Sequence, residues 1–399
     1  EGSKYHNFRD FFQFPDFNLP DLKYESQPTL IHPELEKEKS LIAAMQKKDY
    51  LVHYPYQSFD YVLRLFNEAA DDPKVTAMSA TLYRVADKSA IAKALVKAAK
   101  NGKLVTVVVE LKARFDEESN IFWAGKLQKA GANVIFGVPD LKVHSKLGLI
   151  TRNEEGKLVN YAYLSTGNYN EDTSKIYADH ALFTSDPRLT KEVDQVFEFF
   201  IDRQPDKKFK HLLVAPINMR QSFTKLIDKE IKNAQKGLPA SMILKMNALQ
   251  DERMIKKLYE ASQAGVKIKL LVRGICCLVP GVEGISENIE VRSIVDRYLE
   301  HARVYIFHNN GEEKYYVASA DWMTRNLSRR VEVAFPLYQQ NLIDEVRALI
   351  DLQLQDNTKA RNMDNSYLSL ANQTHVRAQY ASYEYLRNQV PQGATQACE

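Results

Sequence analysis

Two short stretches of this chain repeat one another. His144-Ser145-Lys146 opens a pair of strand-like segments that runs to Ser165-Thr166-Gly167-Asn168, and His301-Ala302-Arg303 opens a pair that runs to Ser319-Ala320-Asp321-Trp322. Upstream of each, Ala98-Ala99-Lys100-Asn101-Gly102-Lys103-Leu104-Val105 parallels Ala261-Ser262-Gln263-Ala264-Gly265-Val266-Lys267-Ile268. A duplicated sequence is expected to fold twice by the same rules. The two histidines then become candidates to face each other across a pseudo-twofold cleft.

The periodicity gives each half an α/β character. In the first half, strands are expected at Val75–Leu82, Leu104–Leu111, Asn133–Phe136, Lys146–Ile150 and Asn160–Ser165. Helices are expected at Ser89–Lys100, Ile121–Ala130 and Glu192–Ile201. In the second half the strands are Ser241–Met246, Val266–Val272, Val304–Phe307, Tyr315–Ser319 and Val331–Phe335, with a Gly/Pro loop after Val272. Helices follow at Arg220–Ala234, Asp251–Ala264, Leu342–Gln353 and Arg377–Arg387. A polar, Lys-rich stretch at Asp202–Lys210 marks the boundary. The expected organisation is a connecting arm over 1–35, whose aromatics pack on something, a first domain over 36–208, and a second over 209–399 with a polar, Tyr-rich tail.

Composition excludes several classes. With 54 Lys+Arg against 51 Asp+Glu, the formal charge of +3 creates little overall field, which argues against nucleic acid as a partner. A polyanion must be held by locally clustered cations. No apolar run approaches the length of a membrane helix. Three cysteines are too few for a disulfide framework, so a reducing, cytoplasmic compartment is expected, with peripheral attachment at the inner face of the membrane left open. The chain begins Glu1-Gly2-Ser3, and a longer parent protein is expected. There is no P-loop, no dinucleotide-binding glycine motif, no zinc-spaced cluster and no nucleophile elbow. The acids Asp116-Glu117-Glu118 and Asp251-Glu252 are explained by helix starts.

Positions i and i+2 of a strand project to one side, so His144 and Lys146 go together, as do His301 and Arg303. An imidazole beside a fixed cation suits attack on phosphorus, because the ring forms the covalent intermediate and the cation neutralises phosphoryl oxygens. A second imidazole can serve as acid to the leaving oxygen. A lone His is more often structural than nucleophilic; the matched pair outweighs that. His6, His32, His53, His180, His211, His308 and His375 lack such a context and read as structural. Further cations stand at strand ends: Arg84, Lys112, Arg114 and Arg273, at the edge where open α/β sheets bind ligands.

These residues lie in longer motifs: His53-Tyr54-Pro55-Tyr56-Gln57-Ser58-Phe59, Thr81-Leu82-Tyr83-Arg84-Val85, Val109-Glu110-Leu111-Lys112-Ala113-Arg114-Phe115-Asp116-Glu117, and Lys142-Val143-His144-Ser145-Lys146. They continue in Thr166-Gly167-Asn168-Tyr169-Asn170, Tyr298-Leu299-Glu300-His301-Ala302-Arg303 and Ser319-Ala320-Asp321-Trp322-Met323-Thr324-Arg325-Asn326. Together they closely resemble the catalytic portion of the bacterial polyphosphate kinase family of the first type, over nearly the whole chain.

The resemblance implies two tandem phospholipase-D-like α/β domains. It also implies reversible transfer of the terminal phosphate of ATP to inorganic polyphosphate, with Mg²⁺. By similarity His144 becomes phosphorylated and His301 assists as the second catalytic His. Tyr177, Arg273, Arg84, Arg114, Lys146, Arg303 and Arg330 are the implied nucleotide- and phosphate-binding residues. Arg84 and Arg114 match a Mg-phosphate site; since arginine has no acceptor lone pair, they are expected to bind the phosphates that carry the metal. ATP/ADP and polyphosphate are the implied partners, in a homo-oligomer of a longer protein whose amino-terminal domains contribute to nucleotide binding. Against the general phospholipase-D pattern, Thr151 replaces an Asp and Arg303 replaces the second Lys, which fits kinase-type members. Two other readings stay open from sequence: a phospholipase-D-like phosphodiesterase, and a non-catalytic polyanion-binding module.

Overall fold

The computed structural model describes residues 11, 14, 15, 17–83, 88–110, 117–202, 208–363 and 374–391. In the first half, helix α1 (Leu41–Lys47) and strand β1 (Tyr50–Tyr54) are followed by α2 (Asp60–Asp71), β2 (Val75–Leu82), α3 (Ala90–Lys100) and β3 (Leu104–Val109). Then come α4 (Glu117–Lys129), β4 (Asn133–Phe136), β5 (Lys142–Val143), β6 (Lys146–Glu154), β7 (Lys157–Ser165), β8 (Tyr177–Thr184) and α5 (Pro187–Asp202). The second half begins with β9 (Leu213–Ala215), α6 (Met219–Gln235), β10 (Ser241–Met246), α7 (Glu252–Gln263), β11 (Lys267–Val272) and β12 (Ile289–Ile294). It continues with β13 (Leu299–Glu300), β14 (Arg303–Phe307), β15 (Lys314–Ala318), α8 (Thr324–Arg329) and β16 (Arg330–Pro336). It closes with α9 (Gln340–Gln355), β17 (Ala360–Arg361) and α10 (Ala378–Arg387).

The duplication is visible in the sheets. The first runs β1-β8-β7-β6-β2-β3-β4; the second contains β12-β11-β10-β14-β15-β16, with β9 on β16. In both, three parallel strands join an antiparallel group. Even local details recur: the His53 N–H donates to Gln57 Oε1, and the Val214 N–H to Asn218 Oδ1, four residues on in each case.

Each half lends the other a short strand. β5, from the first half, pairs with β16 of the second; β13, from the second, pairs with β8 of the first. The next residues are His144 and His301, whose N–H groups donate to Val331 O and Ala178 O of the opposite half. Between the sheets lies a shared core of Leu147, Leu149 and Leu164 against Val304, Ile306, Val331 and Val333, closed by side chains of α5 and α9. Burying apolar side chains from both sheets is the main force holding the halves together.

The structure corrects three expectations. Register pairs Lys146 with Ser165 and Arg303 with Ala318, so Thr166 matches Ser319 and Asn168 matches Asp321, one position off the Ser165/Ser319 alignment. The stretch after Val272 is not all loop, since it contains β12. The arm's Phe14 and Phe17 are more than half exposed; Arg297 and Arg377 sit over the Tyr24 ring, the Glu25 carbonyl accepts from Arg297, and the arm reaches the core at Leu30.

Candidate functional site

The lent strands decide the site's geometry. His144 follows β5, so its ring meets β16 of the other half: Nδ1 lies 2.9 Å from Glu332 Oε2. His301 follows β13 and meets β8: Nδ1 lies 2.8 Å from Asp179 Oδ1. Each carboxylate also accepts from the equivalent hydroxyl of its own half, Ser319 for Glu332 and Thr166 for Asp179. Glu332 takes a further bond from Asn326 Nδ2 at 2.6 Å. An imidazole whose Nδ1–H is held by a carboxylate has fixed tautomer and orientation, with its Nε2 lone pair turned away from that carboxylate; in His301, Arg303 Nη1 stands 3.3 Å from Nε2.

Backbone placement is equally deliberate. Thr81 Oγ1, on β2, donates to the Ser145 carbonyl at 2.7 Å, and the equivalent Lys245 Nζ, on β10, donates to the Ala302 carbonyl at 3.1 Å. Gly167 makes room for the carboxylate, because an added Cβ would lie 2.5 Å from Asp179 Oδ2 and force it to shift.

The electrostatics keep both rings neutral. Burial lowers His144 well below its ordinary value, and the charges of Lys146, Arg330, Arg303 and His301 lower it further. Burial also lowers His301, and Asp179 offsets part of that. Lys146 and Arg303 lower both rings, so the two stations share these cations. Burial pushes Glu332 up; Asp179, despite burial, is held at about 2 by His301 and its hydrogen bonds. Lys146 is 1% exposed and burial brings it down to about 7. Its Nζ donates to the His144 carbonyl and sits over the Tyr83 ring. Arg303, in contrast, is chelated by Asp321, with Nε–Oδ1 at 3.1 Å and Nη2–Oδ2 at 3.2 Å.

The remaining sequence candidates divide clearly. Tyr177 packs its ring 5.1 Å from His301. Arg273 donates through Nε to the Glu300 carbonyl at 2.8 Å and to Asn247 Oδ1 at 3.1 Å, while Asn247 Nδ2 donates to the His301 carbonyl. Arg330 Nη1 stands 3.9 Å from Glu332 Oε1. Arg84, Lys112 and Arg114 lie outside the described residues. Sequence reading missed Glu332, Asp179 and Lys245. The available signal was a single charge inside an apolar strand-length run, as in Val331-Glu332-Val333 and Ala178-Asp179-His180-Ala181.

Residues 40–206 match the family model of polyphosphate kinase C-terminal domain 1, and residues 212–382 that of polyphosphate kinase C-terminal domain 2. The chain belongs to the polyphosphate kinase family. The polyphosphate kinase of Escherichia coli (strain K12) is 47% identical over 393 residues, covering 97% of this chain and 57% of that protein. The crystal structure of polyphosphate kinase from Porphyromonas gingivalis aligns with a TM-score of 0.89 at 43% identity, over 96% of this chain and 59% of that one. The chain therefore spans a little over half the length of the curated polyphosphate kinases it matches. Phosphatidylserine synthase of Haemophilus influenzae, at 10% identity and a TM-score of 0.53 over 86% of this chain and 93% of its own, is a likeness of fold alone. The architecture is two tandem phospholipase-D-like α/β domains.

Phosphoryl-transfer enzymes commonly work with a divalent metal, and the acidic residues of this centre are the ones a directly bound ion would need. Asp179, Asp321 and Glu332 are each committed to an imidazole, a guanidinium or a hydroxyl. No group of three or more His, Cys, Asp or Glu among the described residues is arranged to hold a metal. Asp251 caps α7 and pairs with Arg220, as a structural acid does. Among the described residues, the donor set does not fit a directly ligated ion; it fits anionic oxygens. No helix among the described residues is long and apolar enough to cross a membrane.

Proposed function

We propose that this centre transfers the terminal phosphoryl group of ATP to inorganic polyphosphate, reversibly, through a phosphohistidine at His144. The observation that carries the reading is a neutral His144 with Nδ1 fixed by Glu332 and a buried ammonium two residues away. The Nε2 lone pair attacks the γ-phosphorus, the N–P bond forms, the bond to the ADP oxygen breaks, and ADP leaves. A terminal oxygen of polyphosphate then attacks the same phosphorus, and the N–P bond breaks to restore neutral His144. Throughout, the Nδ1 proton stays on the ring, facing Glu332, whose carboxylate compensates the developing imidazolium.

His301 is proposed as the second catalytic group: its neutral ring, set by Asp179, takes a proton at Nε2 from an entering phosphate oxygen and returns it to a departing one. Lys146, Arg303 and Arg330 are proposed to neutralise phosphoryl oxygens, with Arg84 and Arg114 as further phosphate ligands. Tyr177 and Arg273 are proposed nucleotide contacts, supported by their place beside His301. Magnesium belongs to this account as the metal of the nucleotide substrate, carried on phosphate oxygens.

The test is a comparison of substrates with the intact protein. Polyphosphate-dependent conversion of ADP to ATP, lost in His144→Ala, supports the reading. Hydrolysis of a simple phosphodiester with no nucleotide turnover contradicts it.

A further inference from the structure

The two histidine stations are built from equivalent parts, yet the proposed reaction uses them unequally. Besides Thr81 and Lys245, whose ammonium pairs with Glu300, a second pair of equivalent positions differs in charge. Three residues beyond the partner of Arg303 in the sheet stands Asp321; three residues beyond the partner of Lys146 stands Asn168. Asp321 chelates the Arg303 guanidinium. Asn168 has no charge to offer, and its Oδ1 is buried without a hydrogen-bond partner among the described residues. Lys146 accordingly has no carboxylate within ion-pair distance among the described residues; its nearest polar partner is the His144 carbonyl.

A buried cation without a counter-ion is costly, and the cost falls when an anion arrives. Arg303 already has its anion. We infer that Asn168, standing where the second half has Asp321, determines that the phosphoryl group goes to His144: it leaves the Lys146 ammonium unneutralised and so makes that station the anion acceptor. The inference rests on the phosphohistidine reading for its consequence. The charge asymmetry itself stands without it.

Asn168 is a specificity-determining residue here, so its charge must matter more than its hydrogen bonds. In the intact protein, Asn168→Asp is expected to lower the initial rate of His144 labelling from labelled ATP about tenfold or more, as loss of an electrostatic partner in a dry site does. Tripolyphosphate affinity, measured by calorimetry, should weaken by a similar factor. Neutral Asn168→Ser should keep both within about threefold, since it removes no charge. Equal losses in the Asp and Ser variants, or undiminished affinity in Asn168→Asp, overturn the inference. Circular dichroism identifies a variant that fails to fold; Asn168→Ser and Asn168→Ala then decide through affinity, because a neutral side chain at this position must preserve it. Absence of label in the parent protein counts against the phosphohistidine reading alone, and the affinity comparison still decides the role of Asn168.

Discussion

His144 of the first half is oriented by Glu332 of the second, 2.9 Å away, while His301 of the second half is oriented by Asp179 of the first, 2.8 Å away. Neither half contains a complete histidine station. Each station therefore exists only when the halves are docked, and the shared apolar core between the two sheets is what holds the stations together.

Glu332→Gln keeps the shape and removes the charge that fixes the His144 tautomer. The expected result is a loss of about 10–100-fold in phosphoryl transfer, the usual cost of removing an orienting partner. Thermal unfolding should shift much less than for Glu332→Ala, which leaves Ser319 and Asn326 without their acceptor. Unchanged transfer in Glu332→Gln removes the carboxylate from the mechanism.

Lys146 supplies a pH signature. Its ammonium, ordinarily at 10.5, is brought to about 7 by burial, so its charge is present below that value and lost above it. His144 remains neutral well below 6.5. The pH profile of kcat/KM, which reports the free enzyme, should fall on the alkaline side near 7. In Lys146→Arg that limb should vanish, because guanidinium stays charged. An alkaline limb that survives the substitution assigns it to another group.

Much of this was legible from residues alone. The His-x-cation pairs, part of the strand and helix order and the two-domain outline follow from periodicity and repetition, whereas α1, β1, α2 and β8, the strand that carries Asp179, were not read. What pairs with each histidine was not, because Glu332 and Asp179 approach from the opposite half through two-residue strands, β5 and β13. Such short segments have no period to read. The one-residue shift in the repeat, from Ser165 to Thr166, likewise needs hydrogen-bond register, since serine and threonine stand side by side. β12 was hidden because it follows a Gly- and Pro-containing loop and alternates with charged residues, Glu290 and Arg292.

Gly167→Ala tests close packing. A methyl group there would meet Asp179 Oδ2 at 2.5 Å, and the carboxylate must shift away from His301. The expected cost is about 1–3 kcal/mol in unfolding free energy, typical of overpacking, together with loss of turnover. Chemical denaturation and a transfer assay measure both. Wild-type behaviour on both counts contradicts the contact.

Asp179 also links stability to acidity. Its carboxyl is held at about 2 against an ordinary 3.8, so its contribution is fully present above the ordinary value and is lost as the pH falls toward 2. The contribution is on the order of 2 kcal/mol. Unfolding free energies between pH 5 and pH 2 should fall less steeply in Asp179→Asn than in the parent, over this conventional acid range. Identical slopes contradict the hydrogen-bonded Asp179–His301 contact.

The most direct test follows the phosphorus atom. The intact protein is incubated with ATP labelled in its γ-phosphate, digested under alkaline conditions, and the labelled peptide sequenced. The account predicts a phosphoramidate, stable to base and lost in acid, on the peptide containing His144, with none in His144→Ala. Label on the His301 peptide instead, or label that persists in His144→Ala, contradicts it.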